Sequence, residues 1–205
     1  MKQTSAALMI AVLVGALTAV AAQQSSPAAS QARELLEAGQ YQQVVDAAGP
    51  DAEPAVIFAA VLSQEKLGNT EEAKALARRL TERPDNDPWH FVGQSMSELL
   101  ADQTDPALDA ARRAVEIAPM LADAHHQLGL VLAKRQAWKD AAAAFDRVTM
   151  IDPDYAYGYY YGGLSHYRAN RPDLMAVRFE RFLKLAPKAP ERPEVMQIMR
   201  TIRGR

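Results

Sequence analysis

The stretch "LGLVLAKRQAWKDAAAAFDRVTMIDP", residues 128–153, sets the frame in which the rest of the chain can be read. With Ala122 at position 1 of a 34-residue unit, Leu128 and Gly129 fall at 7 and 8, Ala141 at 20, Phe145 at 24 and Pro153 at 32. The next 34 residues put Gly162 and Gly163 at 7 and 8, Phe179 at 24 and Pro187 at 32. One step back, residues 88–121 carry Phe91 at 4, Ala107 at 20, Ala111 at 24 and Pro119 at 32. A further step, 54–87, carries Gly68 at 15, Ala73 at 20 and Pro84 one place early at 31. A shortened unit at 25–53 aligns with this one through Gly39 and Gly68. A period of this length, repeated without insertion, predicts a solenoid whose units bury their apolar faces on one another.

Each recurring position has a physical role. Small residues at 8 and 20, such as Gly129 with Ala141, mark a close crossing of two helices. Aromatic residues at 24, Phe145 and Phe179, fill the space between one hairpin and the next. Gly39, Gly68 and Asn170 at position 15 suit the left-handed conformation that ends a helix. Proline near 32 stops the second helix. These letters at this spacing resemble the tetratricopeptide-repeat family over nearly all of the chain beyond its leader. The resemblance implies an all-α solenoid of helix-turn-helix units at 25–53 (degenerate), 54–87, 88–121, 122–155 and 156–189. Residues 190–205 follow, with Val195, Ile198, Met199 and Ile202 at the spacing of a capping helix with one buried face. Two departures from the pattern carry expectations of their own. Gln94-Ser95 in place of Leu-Gly predicts a looser crossing in the third unit, and Gly162-Gly163 is expected to make room for Met175 at position 20.

The chain opens with Met1-Lys2 and an uncharged run, "AALMIAVLVGALTAVAA", at 6–22, closed by small residues suited to cleavage. Residues 1–22 therefore read as a secretory signal peptide, and 23–30 as a polar flexible leader to a repeat domain at 31–205. A periplasmic or secreted bacterial protein is expected, without stable membrane insertion once the signal is removed. Cysteine is absent, which excludes disulfides, zinc-thiolate sites, cysteine nucleophiles and a lipoprotein anchor.

The formal charge of -2 gives no bias towards nucleic acid. Its distribution is uneven: residues 156–205 hold ten basic and four acidic side chains, residues 23–155 twelve and twenty-one. No phosphate-binding glycine loop, nucleophile elbow or zinc-protease motif occurs, so no enzyme, cofactor or metal is expected. His125 and His166 fall at positions 4 and 11, facing the core, whereas adjacent His126 points to the other face.

In such solenoids the first helices line the concave side. Positions 2, 5, 9 and 12 lie opposite the face that packs on the second helix, and the resemblance identifies them as a groove. They supply Phe58, Leu62, Trp89, Val92, Met96, His126, Leu130, Tyr157, Tyr160, Leu164 and Tyr167, with Tyr161 at the margin. The family's clamp for a terminal carboxylate needs Lys, Asn and Arg at such positions, so that specificity is not carried over. An apolar, aromatic groove suits an amphipathic or extended hydrophobic segment of a protein or peptide partner. A non-catalytic adaptor of the bacterial cell envelope is the function expected. A structural scaffold or self-assembling homo-oligomer, joined through the oppositely charged ends, is the alternative. Of the clustered tyrosines, Tyr159 at position 4 is expected in the core and Tyr155 in the connection between units.

Overall fold

Helices come in consecutive antiparallel pairs, one pair to each sequence unit. A computed structural model describes residues 26–203, so the signal reading of 1–22 lies outside the described residues. The first pair is α1 (Pro27–Glu37) with α2 (Tyr41–Ala47), followed by α3 (Pro54–Leu67) with α4 (Thr70–Thr81). Next are α5 (Pro88–Leu100) with α6 (Thr104–Ile117), α7 (Ala122–Lys134) with α8 (Trp138–Ile151), and α9 (Ala156–Arg168) with α10 (Pro172–Leu185). A last helix, α11, spans Arg192–Arg203. The flexible leader expected at 23–30 gives way at Ser26, whose hydroxyl caps α1 by accepting from the Ala29 N–H at 3.0 Å. Pro27 in the first turn is preset for the helix.

The turn inside every pair is built in one way. Gly39, Gly68, Asp102, Gln136 and Asn170, all at position 15, have positive φ of 75°, 81°, 59°, 61° and 58°. The next residue's N–H reaches back five places to the helix: Gln40 to Leu35, Asn69 to Gln64, Gln103 to Glu98, Ala137 to Leu132 and Arg171 to His166, at 2.8–2.9 Å. The position-15 N–H bonds the carbonyl three places earlier, completing a Schellman motif. Side-chain type announced three of these turns; Asp102 and Gln136 adopt the same conformation because the repeat imposes it.

Packing inside the pairs corrects the expected partners of the small residues. Position 8 makes room first for the aromatic ring at position 24. A Cβ on Gly129 would lie 2.6 Å from the Phe145 ring, and one on Gly163 2.5 Å from Phe179. The nearest neighbours of Gly162 and Gly163 are the Cβ of Phe145 and the ring of Phe179. Both phenylalanines are fully buried, each worth about 1.5–3 kcal/mol of transfer free energy. The third unit reaches the same end differently. Ser95 and Ala111 replace the glycine–aromatic pair, and the buried Ser95 hydroxyl donates to the Ala107 carbonyl at 2.9 Å. The looser crossing expected there is absent. Gly93 lies where α5 meets α4: a Cβ there would stand 2.5 Å from Leu80 Cβ and 2.7 Å from the Ala77 carbonyl.

The odd-numbered helices α1, α3, α5, α7 and α9 touch their odd-numbered neighbours and form the inner layer. In most solenoids each repeat touches only its neighbours. Here the curve is tight enough for distant units to meet. Arg33 of α1 pairs with Asp152, the Glu37 carboxylate meets the start of α9, and Lys66 of α3 reaches Glu191 at 2.8 Å. Among the described residues no helix is long and apolar enough to cross a membrane.

Candidate partner-binding surface

The inner layer is aromatic and mostly filled by itself. Phe58 of α3 sets its edge against His126 of α7, with centroids 5.7 Å apart, and against Trp89 of α5 at 6.2 Å. His126 also meets Phe145, Tyr155 and Tyr161 at 5.2–5.6 Å. Tyr161 stacks on Phe145 at 5.5 Å, and Tyr157 and Tyr160 flank Phe182. Of the twelve residues expected to line an open groove, Phe58, Leu62, Val92, Met96, His126, Tyr157 and Tyr160 are buried. Trp89, Leu130, Tyr161 and Leu164 are partly covered, and Tyr167 is 40% exposed. Period-3.6 reasoning put these side chains on one face but could not show how tightly that face curls.

At its centre is a buried polar chain. The Tyr155 hydroxyl lies 2.9 Å from Asp123 Oδ1 and 2.7 Å from His126 Nδ1. It has one proton, and Asp123 is a carboxylate 3.8 Å from the Arg33 guanidinium. Tyr155 therefore donates to Asp123, and His126 donates its Nδ1–H to the Tyr155 oxygen. His126 Nε2 is then the bare nitrogen, buried without a partner. Burial, helped by the charge of Arg33, pushes the imidazole down to about 3, so it is neutral at pH 7. Burial also raises the Asp123 carboxyl, against the pull of Arg33 and the Tyr155 bond. His126, read from sequence as a groove contact, is a core residue. His125 is also buried and bonds the Pro119 carbonyl at 3.0 Å, and His166 faces Asp146 at 3.3 Å. Tyr159, expected in the core, is partly covered and bonds the Pro153 carbonyl at 3.2 Å. Tyr155 is the N-cap residue of α9, yet it sits 1% exposed in the middle of the fold.

α1 closes this wall. Its Arg33 lies 4.0 Å over the Tyr155 ring and pairs with Asp152. Its Glu37 accepts from the Ala156 and Tyr157 N–H groups at 2.9 and 3.4 Å, capping α9 from 119 and 120 residues away. Burial raises the Glu37 carboxyl to about 7 despite the Arg33 charge and these two donors. Sequence reasoning missed Arg33 and Glu37 because their partners lie outside any local window. Their four-residue spacing on one helix face is the signal that was available.

Beside α1 a cleft of about 1040 Å³ stays open. Trp89, Met120 and Leu121 form its apolar side, and Arg33, Glu34 and Asp152 its polar side. Met120 is 42% exposed. Among the described residues no group of three or more His, Cys, Asp or Glu side chains could hold a metal ion.

Helix pairs stacked at a 34-residue period, with a left-handed residue at every position 15, define an α-solenoid of the tetratricopeptide-repeat class. A family profile described as "Tetratricopeptide repeat" matches residues 55–86, the second unit. A thermophilic TPR protein from Thermus thermophilus, TTC0263, superposes with a TM-score of 0.60 at 17% identity, over 85% of this chain and 96% of that one. The TPR domain of Arabidopsis OM64 gives 0.53 at 14%, covering 56% and 94%, and MamA gives 0.50 at 20%, covering 72% and 85%. Comparison with curated proteins gives no significant match. At these identities the likeness is one of fold.

Proposed function

We propose that this chain is a non-catalytic protein- or peptide-binding module of the bacterial cell envelope. The observation that carries the reading is the cleft of about 1040 Å³ on the inner layer, with Trp89 and Met120 on its wall. A partly covered tryptophan on α5 and an exposed methionine in the α6–α7 connection offer a partner apolar area in the same cleft. The tyrosine wall of α9 adjoins α1 and continues the same inner face. The Tyr155–Asp123–His126 chain is buried and held by its own hydrogen bonds, as a structural core is. The uncharged, small-residue run at 6–22 supports export, and amino-terminal sequencing of the mature protein tests it. Trp89→Ala is expected to weaken partner capture from envelope extracts at least about tenfold while leaving helicity unchanged. Undiminished capture by a folded Trp89→Ala protein would remove the cleft from the reading. Capture lost only when oligomer size changes would favour self-assembly.

A further inference from the structure

The tyrosine wall already holds something. Beyond the last repeat the chain turns back, and Glu191 and Glu194 reach the inner layer. Glu191 Oε1 accepts from Lys66 Nζ at 2.8 Å and from the Tyr157 hydroxyl at 3.1 Å. Glu194 Oε2 accepts from the Tyr160 hydroxyl at 3.1 Å. These donors come from two helices of the inner layer, α3 and α9, and each reaches a side-chain carboxylate, the Tyr157 hydroxyl also lying 3.4 Å from the Leu36 carbonyl oxygen. Raised by burial first and by the nearby glutamates, the Tyr157 and Tyr160 hydroxyls hold their protons far above the ordinary tyrosine range. They are therefore fixed donors. The wall is chemically a receptor for two side-chain carboxylates three residues apart.

The resident segment is an imperfect occupant. Glu191 Oε2 is buried with no hydrogen-bond partner, a cost that a better-fitting carboxylate or water access would relieve. The segment is held at its base by Arg192, which donates to the Leu183 carbonyl at 2.6 Å, and α11 buries Val195 and Met199. It lies outside the repeat pattern, so its detachment would unpair no helix hairpin of the repeats.

We infer that the Lys66–Tyr157–Tyr160 surface is a docking site for a partner segment bearing two side-chain carboxylates three residues apart, and that Glu191–Glu194 is its resident stand-in. This rests on the reading of the inner layer as a partner-binding face. Charge complementarity carries it: an ammonium and two hydroxyl donors converge on two carboxylates.

The test uses the full chain with Glu191→Gln and Glu194→Gln, and a fluorescein-labelled peptide of residues 189–203 as probe. The peptide is expected to bind this variant at least about tenfold tighter than it binds the wild type, because the competitor is weakened. A peptide with both glutamates changed to glutamine is expected to bind about tenfold more weakly than the parent. Tyr160→Phe added to the variant lowers affinity for the parent peptide more than for the glutamine peptide, whose neutral amide oxygen is the weaker acceptor. Equal binding of the two peptides overturns the carboxylate preference and leaves an apolar groove standing. Binding of neither peptide by a folded variant overturns the docking site, while the Trp89 cleft is judged by its own experiment. If the variant does not fold, hydrogen exchange on the wild type decides. Saturating parent peptide deprotects residues 192–203 and the glutamine peptide does not; equal protection with both overturns the proposal.

Discussion

Replacing Glu37 with glutamine isolates a carboxyl whose burial works against its charge. The new amide keeps an acceptor oxygen for the Ala156 and Tyr157 N–H groups, so the cap on α9 survives while the charge goes. Burial raises the folded carboxyl from 4.5 to about 7, against the opposing pull of Arg33. A pKa higher in the folded than in the unfolded chain means that the folded chain holds the proton more tightly. The associated stability is fully present below about 4.5 and is lost as pH rises through about 7. A displacement of this size corresponds to about 3 kcal/mol between the two limits. His126, held near 3, stays neutral throughout this window. Urea unfolding of both proteins at pH 4.5, 5.5, 6.5 and 7.5 is the assay. The stability of Glu37→Gln relative to wild type is expected to rise with pH, by about 2–3 kcal/mol over the series. A difference that stays constant with pH, or that falls, would refute the claim that α1 buries an ionisable carboxyl against α9.

Other positions give sharper steric and hydrogen-bond tests. Gln136→Gly relieves a left-handed residue at φ 61° and is expected to stabilise by about 0.5–1 kcal/mol, whereas Gly68→Ala at φ 81° destabilises by about 1 kcal/mol or more; thermal melts read both. Gly93→Ala presses a methyl onto Leu80 Cβ and the Ala77 carbonyl and should cost about 1–3 kcal/mol in urea unfolding. Tyr155→Phe leaves Asp123 Oδ1 and His126 Nδ1 without their shared partner and should cost about 1–3 kcal/mol by the same measurement.

The repeat register was legible because its markers act locally. Each second helix stops two or three residues before its proline, at Thr81, Ile117, Ile151 and Leu185 ahead of Pro84, Pro119, Pro153 and Pro187. Gly39, Gly68 and Asn170 announced their turns by side-chain type, while Asp102 and Gln136 were hidden because an ordinary residue is held there by the motif around it. Helical periodicity put Phe58, His126 and Tyr157 on one face of the first helices, and all three are buried. It did not show that the face closes, since closure depends on small angles accumulated over several units. The contacts that close it, Arg33 with Asp152 and Glu37 with Ala156, span 119 residues and leave no trace in any window. The same holds for Glu191 and Lys66, 125 residues apart. Two of the tyrosines therefore changed role on folding: Tyr157 and Tyr160, read as part of a bare platform, are buried and bonded to carboxylates of the same chain.

Closure of the inner layer can be measured by a double-mutant cycle between α1 and the end of α8. Arg33→Met, Asp152→Asn and the pair are compared by urea unfolding. Arg33 and Asp152 meet as a mostly covered ion pair, so a coupling of about 1–3 kcal/mol is expected between residues 119 positions apart. Effects that add to within about 0.3 kcal/mol would mean that α1 and α8 do not meet, because residues that do not touch do not couple.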